Sequence, residues 1–387
     1  MSNARIEPVA PGLLDAAHGP LHPLAARTLE SAVTAAWADP TRLHPAGRRS
    51  RALLDTAREV LAEGLRVRPD ELSVHASPEA ALELAVTGLR HARRRTGERV
   101  VAGATARAVV LVRPGVGSPV PVDPTGAVDV EAYAGALAGG DVAAAVLQTA
   151  NAEVGTRQPV REVARACRDH DVPLVLDATA SAGRDGWCDA ALTEAPVVVA
   201  DAASFGGPPL GLLAVRTGTR WSLPGPRREA EHGREPAAPW VPPVLAAAEA
   251  WRQSVGDHDA DEADARSLVD GIRAAAEAVP DVEVVGDPLD RLPHVVTFSV
   301  LYADGEVLLE ELAGRGLLVA SGSACTSSAL RPSHVLAAMG VLTHGNVRVT
   351  LPLRSVSPDR AADVERLCHA LPDAVATVRR RLGTDDL

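Results

Sequence analysis

Six short, largely apolar runs constrain the first two-thirds of this chain more than any other feature: Arg99–Ala102, Val109–Val112, Ala143–Gln148, Pro173–Asp177, Val197–Asp201 and Leu210–Val215. They are continuous rather than alternating, and Ala-rich helical stretches separate them. Strands buried on both faces read this way, so the pattern predicts a parallel or mixed sheet covered by helices. Leu223–Pro243, rich in Pro, Arg and Glu, reads as a long loop. A helix around Val244–Ser254 follows, and the acidic segment Asp257–Asp264 reads as a domain junction. Beyond it, strand-like Val282–Val285, His294–Val300, Leu317–Ala320 and Val347–Leu351 interleave with helices at Glu306–Ala313 and Pro358–Arg381, which predicts an α+β lobe.

The chain has 387 residues, room for a large domain and a smaller one. No apolar run reaches membrane-spanning length, and no basic segment followed by an apolar one opens the sequence, so the chain reads as cytoplasmic. A net charge of −11 without a basic tract disfavours nucleic acid as a partner. All 39 basic residues are arginine, and lysine is absent. A GC-rich coding bias accounts for much of that composition but does not account for losing a lysine that catalysis needs. The four cysteines, Cys167, Cys188, Cys325 and Cys368, form no CxxC pair and no zinc-ligand spacing.

In an open α/β sheet, sites form beyond the carboxyl ends of the strands. Asp177 ends one predicted strand and Asp201 another, so both stand in site-like positions. Each is equally accounted for as a cap on the turn that follows.

Five strings in order resemble one family. Leu14-Asp15-Ala16-Ala17 resembles an LDNAA strand, and Asp39–Arg48 is similar to NPSSLHxxGR. Asn151–Gly155 resembles NNEIG, and Asp177–Gly183 resembles DAxQSxGK. Ser321-Gly322-Ser323-Ala324-Cys325-Thr326-Ser327 is similar to a persulfide-forming cysteine loop. The resemblance is to the cysteine desulfurases, class V aminotransferases of pyridoxal-phosphate (PLP) fold type I. It implies an α/β large domain with a mixed, mostly parallel sheet, plus a smaller α+β C-terminal domain. The expected division is an N-terminal segment, 1–16, associated with the small domain, a large domain, 17–256, and a small domain, 257–387, carrying the Cys325 loop. The resemblance also implies a homodimer with a sulfur donor or acceptor protein as partner.

The departures fall on the cofactor. In the family, a Ser-x-His-Lys run before Gly-Pro holds PLP, and its lysine forms the Schiff base. Alignment on Gly207-Pro208 puts Ser204 at the lysine, Ala203 at the histidine and Asp201 at the phosphate-binding serine. The phosphate loop corresponds to Ala76-Ser77-Pro78-Glu79, where Pro78 withdraws a hydroxyl and a backbone N–H. Ala106 stands for the histidine that stacks on the ring, and Ala180 for the glutamine of DAxQ. A phosphate-reaching threonine falls near Ala238, and an aspartate at 201 repels a dianion. Asn151, Asp177, Ala180, Asp201, Ala203, Ser204, Ala106 and Pro78 are therefore expected to line a vestigial pocket, with PLP binding lost and no cofactor or metal held.

Cys325 is the surviving chemical feature. Its small, polar surroundings suit an exposed loop, and a thiolate there exchanges sulfur without a lysine. Three readings stand at this point: a persulfide acceptor or relay through Cys325, a non-catalytic pseudoenzyme that partners an active desulfurase or sulfur acceptor, and residual desulfurase activity with non-covalent PLP. A new site using Asp177, Asp201, Ser204 and Glu153 ranks behind them. His18, His44, His75 and His334 are the remaining candidate bases, each better explained as a surface or capping residue. Arg348 and Arg354 lie where the family places a carboxylate-binding arginine, or are solvated charges.

Overall fold

The computed structural model describes residues 11–322 and 332–383. In chain order its strands are β1 (Gly12–Leu13), β2 (Leu72–His75), β3 (Arg99–Ala102), β4 (Val142–Gln148), β5 (Leu174–Asp177), β6 (Val197–Asp201), β7 (Gly211–Val215), β8 (Val282–Val285), β9 (Val295–Val300), β10 (Leu317–Leu318) and β11 (Asn346–Thr350). The central sheet has the order β2-β7-β6-β5-β4-β3. Only β7 is antiparallel to its neighbours, so β2 to β6 all point their carboxyl ends to one edge. This is the mixed, mostly parallel sheet that the apolar runs predict.

Two-residue periodicity explains why those runs are apolar throughout. Along β4, Ala145 and Leu147 enter one core, while Ala144 and Val146 enter another on the opposite face. In β6, Val198 and Ala200 divide from Val197 and Val199 in the same way. The first core packs the Pro45–Gly64, Val160–Asp169 and Val241–Gly256 helices, and the second packs Pro78–Arg93. With helices on both faces, neither set of side chains meets water.

A third core lies under the antiparallel sheet β11-β9-β8 and the His258–Glu277 and Arg360–Leu382 helices. β1 pairs in parallel with β10, and Asp15 bridges to Thr350, so residues 12–15 join this later part. The chain passes from one body to the other between Trp251, in the first core, and Ala265, in the third. The acidic segment occupies the opening turns of the His258–Glu277 helix, where Asp259 and Asp261 complement the helix dipole.

One predicted strand is a helix. Val109–Leu111 falls within a single turn, Ala108–Leu111, with Val112 as its C-cap. The outer edge of β3 is instead met by isolated bridges from Val116 and Val120. Val110 packs inward from the turn against the second core. A four-residue apolar run carries too little periodicity to separate these outcomes. The predicted loop Leu223–Pro243 contains a 3-10 turn, Glu231–Gly233, and its end already belongs to the Val241–Gly256 helix.

Among the described residues, no helix is long and apolar enough to cross a membrane.

Candidate functional site

The carboxyl-end edge of the central sheet gathers the predicted residues. Asp177 closes β5, buried, and its Oδ1 accepts from Thr179 N at 3.0 Å and Thr179 Oγ1 at 2.6 Å. Thr179 Oγ1 in turn accepts from Arg107 Nη1 at 2.8 Å, and Arg107 Nη2 pairs with Glu79 at the start of the Pro78–Arg93 helix. Asp201 closes β6, with Oδ1 accepting from Ala203 N at 2.9 Å. Burial pushes its carboxyl up to about 6, against the pull of that hydrogen bond and of the nearby His18 and Arg107 charges; Glu79 pushes the same way as burial.

Several expected residues have their polar groups committed to the fold. Ser204 Oγ bonds the carbonyls of Ala182 and Asp201 at 2.8 and 2.7 Å. Asn151 holds its own turn, accepting from Glu153 N and Val154 N and donating to Thr105 O and Gln148 Oε1. His75 is wedged between Ser73 Oγ and Glu235 Oε1, and His44 caps a helix by accepting from Gly47 N. Ala106 presents its carbonyl to His334 Nε2 at 3.0 Å. Ala180 and Ala203 are half-buried beside Asp177 and Asp201, and Pro78 opens its helix behind the Ser77 cap.

Cys325 lies outside the described residues, but both stems of its segment are fixed. Gly322 N donates to Asn346 Oδ1 at 2.8 Å. Glu153 sits between the stems: it hydrogen-bonds Ser333, and a Cβ on Gly322 would overlap its Oε1. That Oε1 is buried with no hydrogen-bond partner. Burial raises the Glu153 carboxyl, with Ser333, Arg348 and His334 offsetting part of the rise. Gly322→Ala must therefore displace the carboxylate, at a cost of about 1–3 kcal/mol. Urea denaturation of Gly322→Ala, Glu153→Ala and the double variant checks this; the double variant is expected to lose less than the sum of the singles.

Arg107 is the residue that sequence reasoning missed. The only available signal was its place next to Ala106 in a string already aligned with the site, since Glu79, Thr179 and Arg107 are far apart in sequence. Arg348 is buried on β11 with Nη2 3.8 Å from Asp15 Oδ1, whereas Arg354 is exposed and gives its backbone N–H to Asp261.

Residues 212–366 match the Aminotransferase class-V family. The IscS-like cysteine desulfurase of Mycobacterium tuberculosis is 32% identical over 389 residues, covering 94% of this chain and 96% of the relative. The chain belongs to the cysteine desulfurase family. A cysteine desulfurase of Cereibacter sphaeroides is 31% identical over 376 residues, covering 93% and 94% of the two chains. Among solved structures, a NifS-like protein superimposes with a TM-score of 0.83 at 19% identity, over 95% of this chain and all (100%) of that one.

Membership corrects the expectation that no cofactor is held, because the cysteine desulfurases are PLP-dependent. The structure agrees at the ring end: Asp177 is a buried carboxylate, fixed by Thr179, at a parallel strand's carboxyl end, the kind of group that pairs with a pyridine nitrogen. Arg107, hydrogen-bonded to Thr179 and ion-paired with Glu79, is the cation of the same cluster. When bound, PLP supplies an electron sink. The chain offers no lysine to link it covalently.

Proposed function

We propose that this cysteine desulfurase relative carries sulfur as a persulfide on Cys325 and passes it to an acceptor protein. The observation that carries this reading is the hold on both stems of the cysteine segment, Gly322 by Asn346 and Ser333 by Glu153. The Cys325 thiolate attacks the outer sulfur of a donor persulfide. A new S–S bond forms to Cys325, the donor S–S bond breaks, and the donor leaves as its thiolate. An acceptor thiolate then takes the outer sulfur by the same displacement and restores the Cys325 thiolate. No electrons are gained or lost overall, and neither step draws on a lysine. The chain works as a homodimer in this reading, with donor and acceptor from the sulfur-transfer class.

The other thiols compete poorly. Burial pushes Cys167 up to about 12 and raises Cys188 and Cys368, which keeps them protonated at neutral pH. Incubation with glutathione persulfide, with and without PLP, followed by peptide mass spectrometry, is expected to add one sulfur atom at Cys325. Cys325→Ser should abolish the adduct and transfer to an acceptor thiol. Equal transfer by the serine variant would show the reading to be wrong.

A further inference from the structure

Four side chains form a relay along the carboxyl-end edge of the central sheet. Glu79 opens the Pro78–Arg93 helix, where a carboxylate complements the helix dipole. It pairs with Arg107 Nη2, and Arg107 Nη1 donates to Thr179 Oγ1 at 2.8 Å. A hydroxyl has one hydrogen, and Thr179 gives it to Asp177 Oδ1 at 2.6 Å. The Thr179 backbone N–H donates to the same oxygen at 3.0 Å. Both donors converge on Oδ1, and Asp177 Oδ2 makes no hydrogen bond among the described residues. That second oxygen is not sealed in, so it is the one open to a ligand.

The loop that carries Arg107 is itself fixed. Asn151 Nδ2 donates to Thr105 O at 3.2 Å, His334 Nε2 donates to Ala106 O at 3.0 Å, and Arg107 is the N-cap residue of the Ala108–Leu111 turn. A guanidinium that donates to a hydroxyl oxygen polarises the O–H and strengthens the bond it gives in turn. The charge of Arg107 therefore acts on Asp177 at one remove. It also reaches the second strand-end carboxylate, pulling the Asp201 pKa down while Glu79 pushes it up.

We infer that Arg107 is a positioning residue: anchored by Glu79 and acting through Thr179, it fixes the Asp177 carboxylate so that Oδ2 is presented to the protonated ring nitrogen of PLP. No bond is made or broken in this role, and it is independent of whether Cys325 carries sulfur.

Titration of the full chain with PLP, followed by the visible absorption and circular dichroism of the cofactor as pH is varied, tests the inference. The wild type should take up one PLP per chain, and the bound ring should keep its nitrogen proton to higher pH than free PLP does. Thr179→Val keeps the shape and the backbone N–H but loses the hydroxyl. It should weaken binding roughly tenfold, the factor that about 1.4 kcal/mol represents, and release the ring proton at lower pH than the wild type. Thr179→Ser, which keeps the hydroxyl, should restore both readings. Arg107→Ala and Glu79→Gln should move both readings in the direction of Thr179→Val, the second by less. The Arg107 and Glu79 side chains are 28% and 45% exposed, so these two variants report on the relay even where Thr179→Val fails to fold. Lysine is avoided at position 107, because its amine would itself condense with the PLP aldehyde. Arg94→Ala, an exposed change outside the relay, should alter neither reading. Weaker binding with an unchanged ring titration marks a merely structural role and overturns the inference. Thr179→Ser behaving as Thr179→Val overturns it too, as does a wild type that takes up no PLP.

Discussion

Asp189→Asn is expected to stabilise the fold by about 4 kcal/mol above pH 7 and to flatten its stability between pH 4 and 7. Burial raises this carboxyl from 3.8 to about 7, while a hydrogen bond from Gly183 N and the His258 and Arg66 charges pull it down and Asp185 pushes it up. Its pKa is thus higher in the folded chain than in the unfolded one. The folded state binds more protons through this window, so the stability contributed is full below about pH 4 and is lost as pH rises through 7. An asparagine keeps an oxygen for Gly183 N, which Asp189 now meets with both oxygens at 3.1 and 3.2 Å. It carries no charge to bury. Denaturant midpoints from pH 5 to 9 for both proteins check the prediction, and parallel curves would refute it. His258 contributes in the same direction, since Glu262 raises its pKa and its stabilising charge is lost on alkalinisation.

Arg360→Ala is expected to cost about 3–5 kcal/mol, the range for removing one partner of a buried ion pair. The side chain is 1% exposed at the head of the Arg360–Leu382 helix. It donates to Asp261 Oδ1 at 2.8 Å, Asp264 Oδ2 at 2.6 Å and Pro352 O at 2.5 Å. Truncation strands the Asp261 carboxylate, whose accessible surface is already small, with the Arg354 backbone N–H at 2.8 Å as its remaining side-chain partner among the described residues. The same guanidinium ties the His258–Glu277 and Arg360–Leu382 helices together, so the third core should loosen first. Hydrogen exchange read on Val347 and Val349 of β11, against Val198 of β6 as reference, separates that local loss from global unfolding.

The layered sheet is legible in the linear chain, because strands buried on both faces must be apolar at every position. The family is legible there too, through strings long enough to be specific, and so is the absence of any lysine. Asp177 and Asp201 were legible for a related reason: a polar residue ending an apolar run marks the strand's carboxyl end. Tertiary structure alone decided the rest. Arg107 finds Glu79 and Thr179 across loops from different strands, and Glu153 stands between the two stems of a segment far along the chain. Such charge pairings depend on distance in space and on burial, and neither is encoded by spacing along the chain.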